Sequence, residues 1–143
     1  KAMFNTNSVF SNLILLVGRL SISLIFIVAG MHKIMEYHHT MALMTSMGVP
    51  FSEFLIIFAI IFELGGGVLL FFGLYTRLGS FLLFLFVIAA TYFFHSFWDY
   101  QGAAHVDNTY HFIKNLTIFG GLLYVFVHGA GRFSLDKKFR KIQ

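Results

Sequence analysis

The chain reads Phe54-Leu-Ile-Ile-Phe-Ala-Ile-Ile-Phe-Glu63-Leu-Gly-Gly-Gly-Val-Leu-Leu-Phe-Phe72 in the second of its apolar runs. This stretch has the length of a membrane-spanning helix, because about 20 apolar residues cross the hydrocarbon core of a bilayer. Its single charged side chain belongs to Glu63. A carboxylate at that depth has no water to solvate its charge, so it must be neutral, paired or in contact with a polar cavity. Glu63 is therefore the first candidate for a functional residue.

The composition extends this interpretation to the whole chain. Of its 143 residues, 58% are hydrophobic and 11% are charged, and the mean hydropathy is +0.81. A soluble domain carries about 25% charged residues. The length predicts a single transmembrane domain over residues 1–143. Because the core of such a small domain cannot hide so many apolar side chains, we expect lipid to solvate much of its surface. The absence of cysteine excludes disulfides, iron–sulfur clusters and thiolate metal sites.

Four apolar runs predict four spanning helices, at about 12–31, 54–74, 78–97 and 112–128. In lipid these must be helices, because a helix satisfies its own backbone hydrogen bonds. A short helix is expected over about 35–47, ended by Gly48-Val49-Pro50. Residues 98–111 are expected to form a polar loop. The predicted fold class is all-α, an integral membrane four-helix bundle.

The basic residues predict an orientation. With an even number of spans, both termini and the turn between the second and third spans share one side. That side carries most of the basic residues, and the rule that cytoplasmic loops are richer in Lys and Arg places it in the cytoplasm. The net charge of +4 is attributed to this asymmetry and not to nucleic-acid binding. The tail cluster is expected to bind lipid headgroups: Lys137, Lys138, Arg140 and Lys141.

Arg19, in the first apolar run, is the predicted partner of Glu63. At 1.5 Å per residue, both lie on the order of 10–15 Å from the cytoplasmic surface. Each costs about 2.5–3.5 kcal/mol to insert, and pairing offsets much of that. Two interpretations stay open: an ion pair that fixes helix register, or a ligand- or proton-binding site. The triplet Gly65-Gly66-Gly67 favours a close helix crossing at this level.

The histidines and two lysines are candidates on the opposite side. His32, His95 and His111 come from three different runs at similar depth, so they could ligate a metal or haem. Their spacing is not specific, and the alternative is interfacial histidine near headgroups. Lys33 and Lys114 either extend towards the interface or together hold an anionic group.

Four blocks of residues stand out in order along the chain. They are Arg19…Phe26…Gly30…Lys33; Glu63-Leu-Gly-Gly-Gly67 through Gly73-Leu-Tyr-Thr76-Arg77; Lys114-Asn115…Gly120-Gly121; and Gly129-Ala-Gly131-Arg132-Phe-Ser134-Leu135-Asp136. With Gly48-Val49-Pro50 between the first two, they resemble the DoxX family of small four-helix membrane proteins over nearly the whole chain.

The resemblance implies a bacterial inner-membrane protein. Some family members are similar to the DoxD subunit of thiosulfate:quinone oxidoreductase, and others are linked to membrane-associated redox and oxidative-stress complexes. Carried over by position, the implied site residues are Arg19, Lys33, Glu63, Arg77, Lys114 and Asn115. The histidines have no place in the family pattern.

Three functions follow as hypotheses. The first is a membrane subunit of a quinone-linked or redox-associated complex, in which a quinone enters between helices and meets Arg19 and Glu63. Its electron carrier would be a haem, flavin, metal or partner protein. The second is a non-enzymatic anchor, assembly factor or small-ligand binder. The third is a transporter, which ranks last because the sequence shows no recognisable inverted repeat. The expected partners are the bilayer and other subunits or a second copy of the chain.

Overall fold

The computed structural model describes residues 8–139, and the regular structure within them is helical. Four helices in this range are long and apolar enough to cross a membrane. This confirms the all-α, four-helix membrane fold. The spans are Val9–Met35 (first), Ser52–Phe72 (second), Thr76–Phe94 (third) and Gly102–His128 (fourth); the loop helix is Tyr37–Ser46 and the tail helix is Leu135–Phe139.

The first two spans begin earlier than predicted. The backbone N–H of Ser11 donates to the Ser8 hydroxyl at 3.0 Å, and this N-cap starts the first helix at Val9. The second span ends at Phe72 because Gly73 adopts a left-handed conformation with φ 64°, a conformation that glycine reaches without strain. The predicted end at residue 74 was therefore slightly too late.

The fourth span differs most from the prediction. It begins at Gly102, whereas residues 98–111 were expected to be a loop, so that expectation was wrong. Hydropathy detects only the part of a helix that lies in lipid. Here the polar side chains bond to the helix backbone or its neighbour: Asn108 donates to the Ala104 carbonyl at 3.0 Å, and His105 Nδ1 lies 2.8 Å from the carbonyl of Phe97.

The bundle core draws on all four spans through Phe26, Leu70, Leu83, Val87 and Leu122. The predicted close crossing at the glycine triplet is confirmed for two of its members. A Cβ on Gly66 would lie 2.7 Å from Leu83 Cγ, and one on Gly67 would lie 3.0 Å from Ile27 Cγ1. Only glycine lets the second span approach both neighbours this closely.

The bundle has two distinct ends. The tail end carries the start of the first span, the turn between the second and third spans, and the segment after the fourth span, which hydrogen-bond to one another. The loop end carries the loop helix, the predicted short helix now confirmed at Tyr37–Ser46. Met44 of that helix packs on Ile56 of the second span. Both ends of the described chain thus lie together, as the even number of spans predicts.

Candidate functional site

Lys33 and Glu63 form the most deeply placed ion pair in the described part of the chain. Lys33 Nζ lies 2.6 Å from Glu63 Oε2. Glu63 is 5% exposed and lies near the middle of the second span. The lysine side chain, at 24% exposure, reaches the bundle surface. The pair therefore joins a buried carboxylate to a lysine side chain that is partly exposed on the bundle surface.

The backbone around Glu63 is unusual. Residues Ile61–Gly65 form a π-helical turn between two α-helical segments, Ser52–Ile60 and Gly66–Phe72. A π turn carries more residues than an α turn and redirects the side chains within it, and such turns are frequent at functional sites. The turn places Glu63 against the end of the first span, where Lys33 lies.

A shallow groove runs along the first span beside this pair. Its volume is about 520 Å³, and it is lined by Leu24, Ile25, Val28, Ala29, His32 and Lys33. Apolar side chains form its length and two basic side chains form its end. A ligand lying in the groove from the lipid would meet Lys33 first and Glu63 behind it.

The predicted pair between Arg19 and Glu63 is wrong. Arg19 lies at the tail end, level with the last residues of the second span, whereas Glu63 lies near its middle. The prediction assumed equal depth from a first span starting at about residue 12. The first span instead extends past the end of the second, because Arg19 already lies level with Phe71, whose carbonyl it contacts. The segment after the fourth span folds back against Arg19 and supplies its other backbone acceptors.

Arg19 donates to three backbone carbonyls. It is 3% exposed, and its Nη1 donates to the carbonyl of Ala130 at 2.6 Å. Its Nη2 donates to Phe133 at 2.9 Å and to Phe71 at 3.5 Å, while its buried Nε has no hydrogen-bond partner among the described residues. The guanidinium therefore joins the first span to the end of the second span and to the segment after the fourth.

The segment after the fourth span, residues 129–136, adds further hydrogen bonds at the tail end. Asp136 accepts hydrogen bonds from the backbone N–H groups of Tyr75 and Thr76, at 2.7 and 3.0 Å, and so caps the third span. The backbone N–H of Arg132 donates to the Asn12 side chain at 2.8 Å. Sequence reasoning did not assign Asp136 a role, although it is an acidic residue in an otherwise basic tail.

The remaining site candidates, Arg77, Asn115 and Lys114, lie away from the Lys33–Glu63 pair and have other partners. Arg77 donates to the carbonyl of Val127 at 3.2 Å, again at the tail end. Asn115 donates to Thr91 Oγ1 at 3.0 Å and so joins the third and fourth spans. Lys33 and Lys114 have separate partners, because Lys114 Nζ lies 3.0 Å from His111 Nδ1. The hypothesis that the two lysines hold one anionic group together is not supported by these contacts.

The three candidate histidines do not form one cluster. His95 and His111 stack with ring centroids 4.7 Å apart, but His32 lies on the first-span groove. Among residues 8–139 no group of three or more acidic or histidine side chains could hold a metal ion. The three histidines therefore do not meet at one metal site, because similar depth does not place residues on facing helix surfaces; haem ligation by fewer of them stays a prediction.

The predicted headgroup-binding cluster is only partly described. Lys137 and Lys138 are exposed on the tail helix. Arg140 and Lys141 lie outside the described residues. Binding of lipid headgroups by this cluster stays a prediction.

Comparison with known proteins places these features in a family context. The family model described as DoxX matches residues 14–96. Inner membrane protein YphA of Escherichia coli (strain K12) is 32% identical over 125 residues, covering 87% of this chain and 89% of the relative. Inner membrane protein YqjF of the same organism is 36% identical over 126 residues, covering 88% and 92%. No solved structure matches the chain.

Proposed function

Because this chain belongs to the DoxX family of inner-membrane proteins, and because its Lys33–Glu63 pair lies beside a lipid-facing groove, we propose that it is a membrane subunit that binds a quinone-type molecule at that pair. The observation that carries the proposal is the 2.6 Å contact between the ammonium of a partly exposed lysine side chain and a buried carboxylate in a π-helical turn.

The groove suits an amphipathic ligand. Leu24, Ile25 and Val28 offer an apolar track of helix surface that leads to Lys33. A quinone dissolves in lipid, carries carbonyl oxygens at one end, and takes up two electrons and two protons when it becomes a quinol. Lys33 can donate a hydrogen bond to such a carbonyl, and a bond from a charged donor contributes about 1.5–3 kcal/mol.

Glu63 has the second role in this proposal. It balances the charge of Lys33 and can pass a proton to the ligand oxygen that Lys33 positions. The chain has no cysteine and therefore no iron–sulfur relay, so the proposal assigns the electrons to a partner protein in a complex. The tail end, which holds Arg77, Arg132, Lys137 and Lys138, is proposed to face the cytoplasm, where a soluble partner can dock.

A second candidate function is a non-enzymatic anchor or assembly factor. The tail-end contacts favour it, because Arg19 and Asp136 join segments of the chain that are far apart in sequence. In that case the Lys33–Glu63 pair serves stability alone. The two functions differ in whether a quinone binds the isolated protein.

The test is quinone binding to the purified protein in nanodiscs. A short-chain ubiquinone or menaquinone analogue is titrated and bound ligand is measured by mass spectrometry. Lys33→Met is expected to weaken binding at least tenfold, since about 1.4 kcal/mol corresponds to a factor of ten. Lys137→Gln, which removes the same charge from the tail helix, is the matched control and should bind as the wild type does. Absence of binding by the folded wild type, or equal binding by Lys33→Met, would overturn the proposal in favour of the anchor function.

A further inference from the structure

The third and fourth spans meet through two successive side-chain contacts near the loop end. The imidazole rings of His95, the residue after the third span, and His111 stack with centroids 4.7 Å apart and planes 14° apart. One helical turn further into the bundle, Asn115 Nδ2 donates to Thr91 Oγ1 at 3.0 Å. Both helices advance four residues between the two contacts, so the contacts follow one another along the same antiparallel helix pair.

A cavity of about 250 Å³ lies between the third and fourth spans next to these contacts. Thr91 and Asn115 line it together with Val87 and Phe119, and it shares no lining residue with the first-span groove. The histidine stack is one helical turn from the polar residues of this lining. A change in helix separation at the stack therefore also changes the cavity.

The hydrogen bonds around the two rings indicate where their protons lie. Lys114 Nζ lies 3.0 Å from His111 Nδ1, and because an ammonium group can only donate, Nδ1 must be unprotonated and the ring neutral. Asn108 Nδ2 donates to the Ala104 carbonyl, and Asn108 Oδ1 lies 3.5 Å from His95 Nδ1. Since that oxygen only accepts, a further proton on His95 would go to Nε2.

Protonation of both rings would bring like charges into contact. Two imidazolium rings at the distance of the stack repel one another, and the Lys114 ammonium already lies beside His111. Asp107 opposes these charges, with Oδ2 3.7 Å from His111 Nε2, but its side chain is 75% exposed and solvent screens it. Asp99, on the short turn that follows His95, is also exposed.

The pKa of His95 agrees with this geometry. Burial lowers that pKa from its ordinary value, the Asn108 hydrogen bond raises it, the charges of His111 and Lys114 lower it, and the charge of Asp107 raises it. A histidine with a lowered pKa in the folded state binds fewer protons there than in the unfolded state. It therefore stabilises the fold above its ordinary pKa of about 6.5, and that contribution is lost as the pH falls.

From this arrangement we infer that the stacked His95–His111 pair is a pH-sensitive joint between the third and fourth spans. With neutral rings, the stack holds the loop ends of the two helices together. When both rings are protonated, repulsion between them and from Lys114 separates the loop ends and opens the cavity. The joint contains neither Lys33 nor Glu63, so it goes beyond the proposed quinone site and stands or falls separately.

The first measurement is the Tm of the full chain in detergent at about pH 7.5 and about pH 5, on either side of the ordinary histidine pKa. The wild type is expected to unfold at least about 3 °C lower at the acidic pH. His95→Phe/His111→Phe keeps two rings that can stack but takes up no proton, so its Tm should change little. His38→Gln/His39→Gln removes as many titratable groups from exposed positions on the loop helix and should keep the wild-type drop.

The second measurement is the distance between spin labels on Phe93→Cys and Tyr110→Cys, at side chains that are 38% and 70% exposed. The labels should move apart on acidification in the wild-type background. They should not do so with His95→Gln/His111→Gln, which removes the same protons without requiring phenylalanine to pack.

Three results would overturn the joint. The first is a wild-type Tm or label distance that is the same at both pH values. The second is a wild-type response in either double variant of His95 and His111. The third is loss of the Tm drop in the loop-helix control.

Discussion

At the scale of single residues, the polar side chains inside the bundle divide by function. Lys33 and Glu63 bond to each other and lie beside an open groove. Arg19 bonds to backbone carbonyls and is enclosed. An enclosed side chain that bonds to backbone carbonyls is out of reach of a ligand, whereas an ion pair with one partly exposed side chain can exchange one of its contacts for a ligand atom.

The Lys33–Glu63 pair predicts a strong coupling in stability. Glu63→Leu leaves the ammonium without its partner and is expected to lower the free energy of unfolding by about 1–3 kcal/mol. The double variant Lys33→Met/Glu63→Leu should recover most of that loss, because an apolar pair of similar volume replaces an ion pair at little cost. Unfolding in mixed detergent, followed by circular dichroism, measures the coupling. Additive effects of the two single changes would contradict it.

Arg19 predicts a different pattern. Arg19→Leu leaves three carbonyls without their donor, one in a buried hydrogen bond and two in partly buried ones, and should destabilise the protein by roughly 2–4 kcal/mol. Arg19→Lys should recover only part of this, because an ammonium lacks the planar fork that reaches several acceptors at once. Arg132→Gln, at an exposed side chain of the same segment, is the control and should change the Tm little. A quinone affinity that falls in Arg19→Lys while its Tm stays at the wild-type value would argue against a structural role.

At the scale of elements, glycines decide how closely the helices approach. Gly30 lies against the second span, and a Cβ there would lie 2.9 Å from Leu64 Cβ and 3.0 Å from its backbone nitrogen. Gly18, on the same helix, has no such neighbour within 4 Å. The two positions share a helix but differ in packing, which makes them a matched pair.

Substitution by alanine should separate these two glycines. Gly18→Ala is expected to stabilise the helix by about 0.5–1 kcal/mol, since glycine is costly in a helix interior. Gly30→Ala should destabilise the protein by about 1–3 kcal/mol, because the backbone that it meets cannot give way as a side chain can. Thermal unfolding of both variants checks this, and equal changes of Tm in one direction would count against the packing described.

At the scale of the whole molecule, the two ends of the bundle differ in construction. The tail end is closed by hydrogen bonds that Arg19 donates and Asp136 accepts, and these bonds join segments far apart in sequence. The loop end carries the loop helix, the stacked rings of His95 and His111, and the cavity between the third and fourth spans. Ligand access is therefore expected towards the loop end, and partner docking at the tail end.

The orientation of these ends predicts a labelling pattern. The chain has no cysteine, so single cysteines report position without background. Ser46→Cys, on the exposed loop helix, should react with a membrane-impermeant maleimide in intact spheroplasts. Lys138→Cys, on the tail helix, should react only after the membrane is opened. The reverse pattern would place the tail end outside and would remove the proposed cytoplasmic docking face.

The sequence by itself determined the class of protein. Length, hydropathy and the lone charge at Glu63 predicted four spanning helices, because lipid forces a run of this length to be a helix whatever its neighbours. It also predicted the loop helix, the glycine crossing and the family, which the structure and the comparisons confirm. These properties are local, and each is written in one stretch of chain.

Only the tertiary structure decided which polar side chains meet. Arg19 and Glu63 looked like partners because both are charged in apolar runs, but the axial offset of the first two spans pairs Glu63 with Lys33. Glu63 lies in the π-helical turn at Ile61–Gly65, and the residues after His128 fold back and supply carbonyl acceptors to Arg19. Neither is visible in hydropathy, since a hydrophobic pattern gives the depth of a residue only within its own helix. Contacts between helices depend on relative shift and rotation, which packing alone fixes.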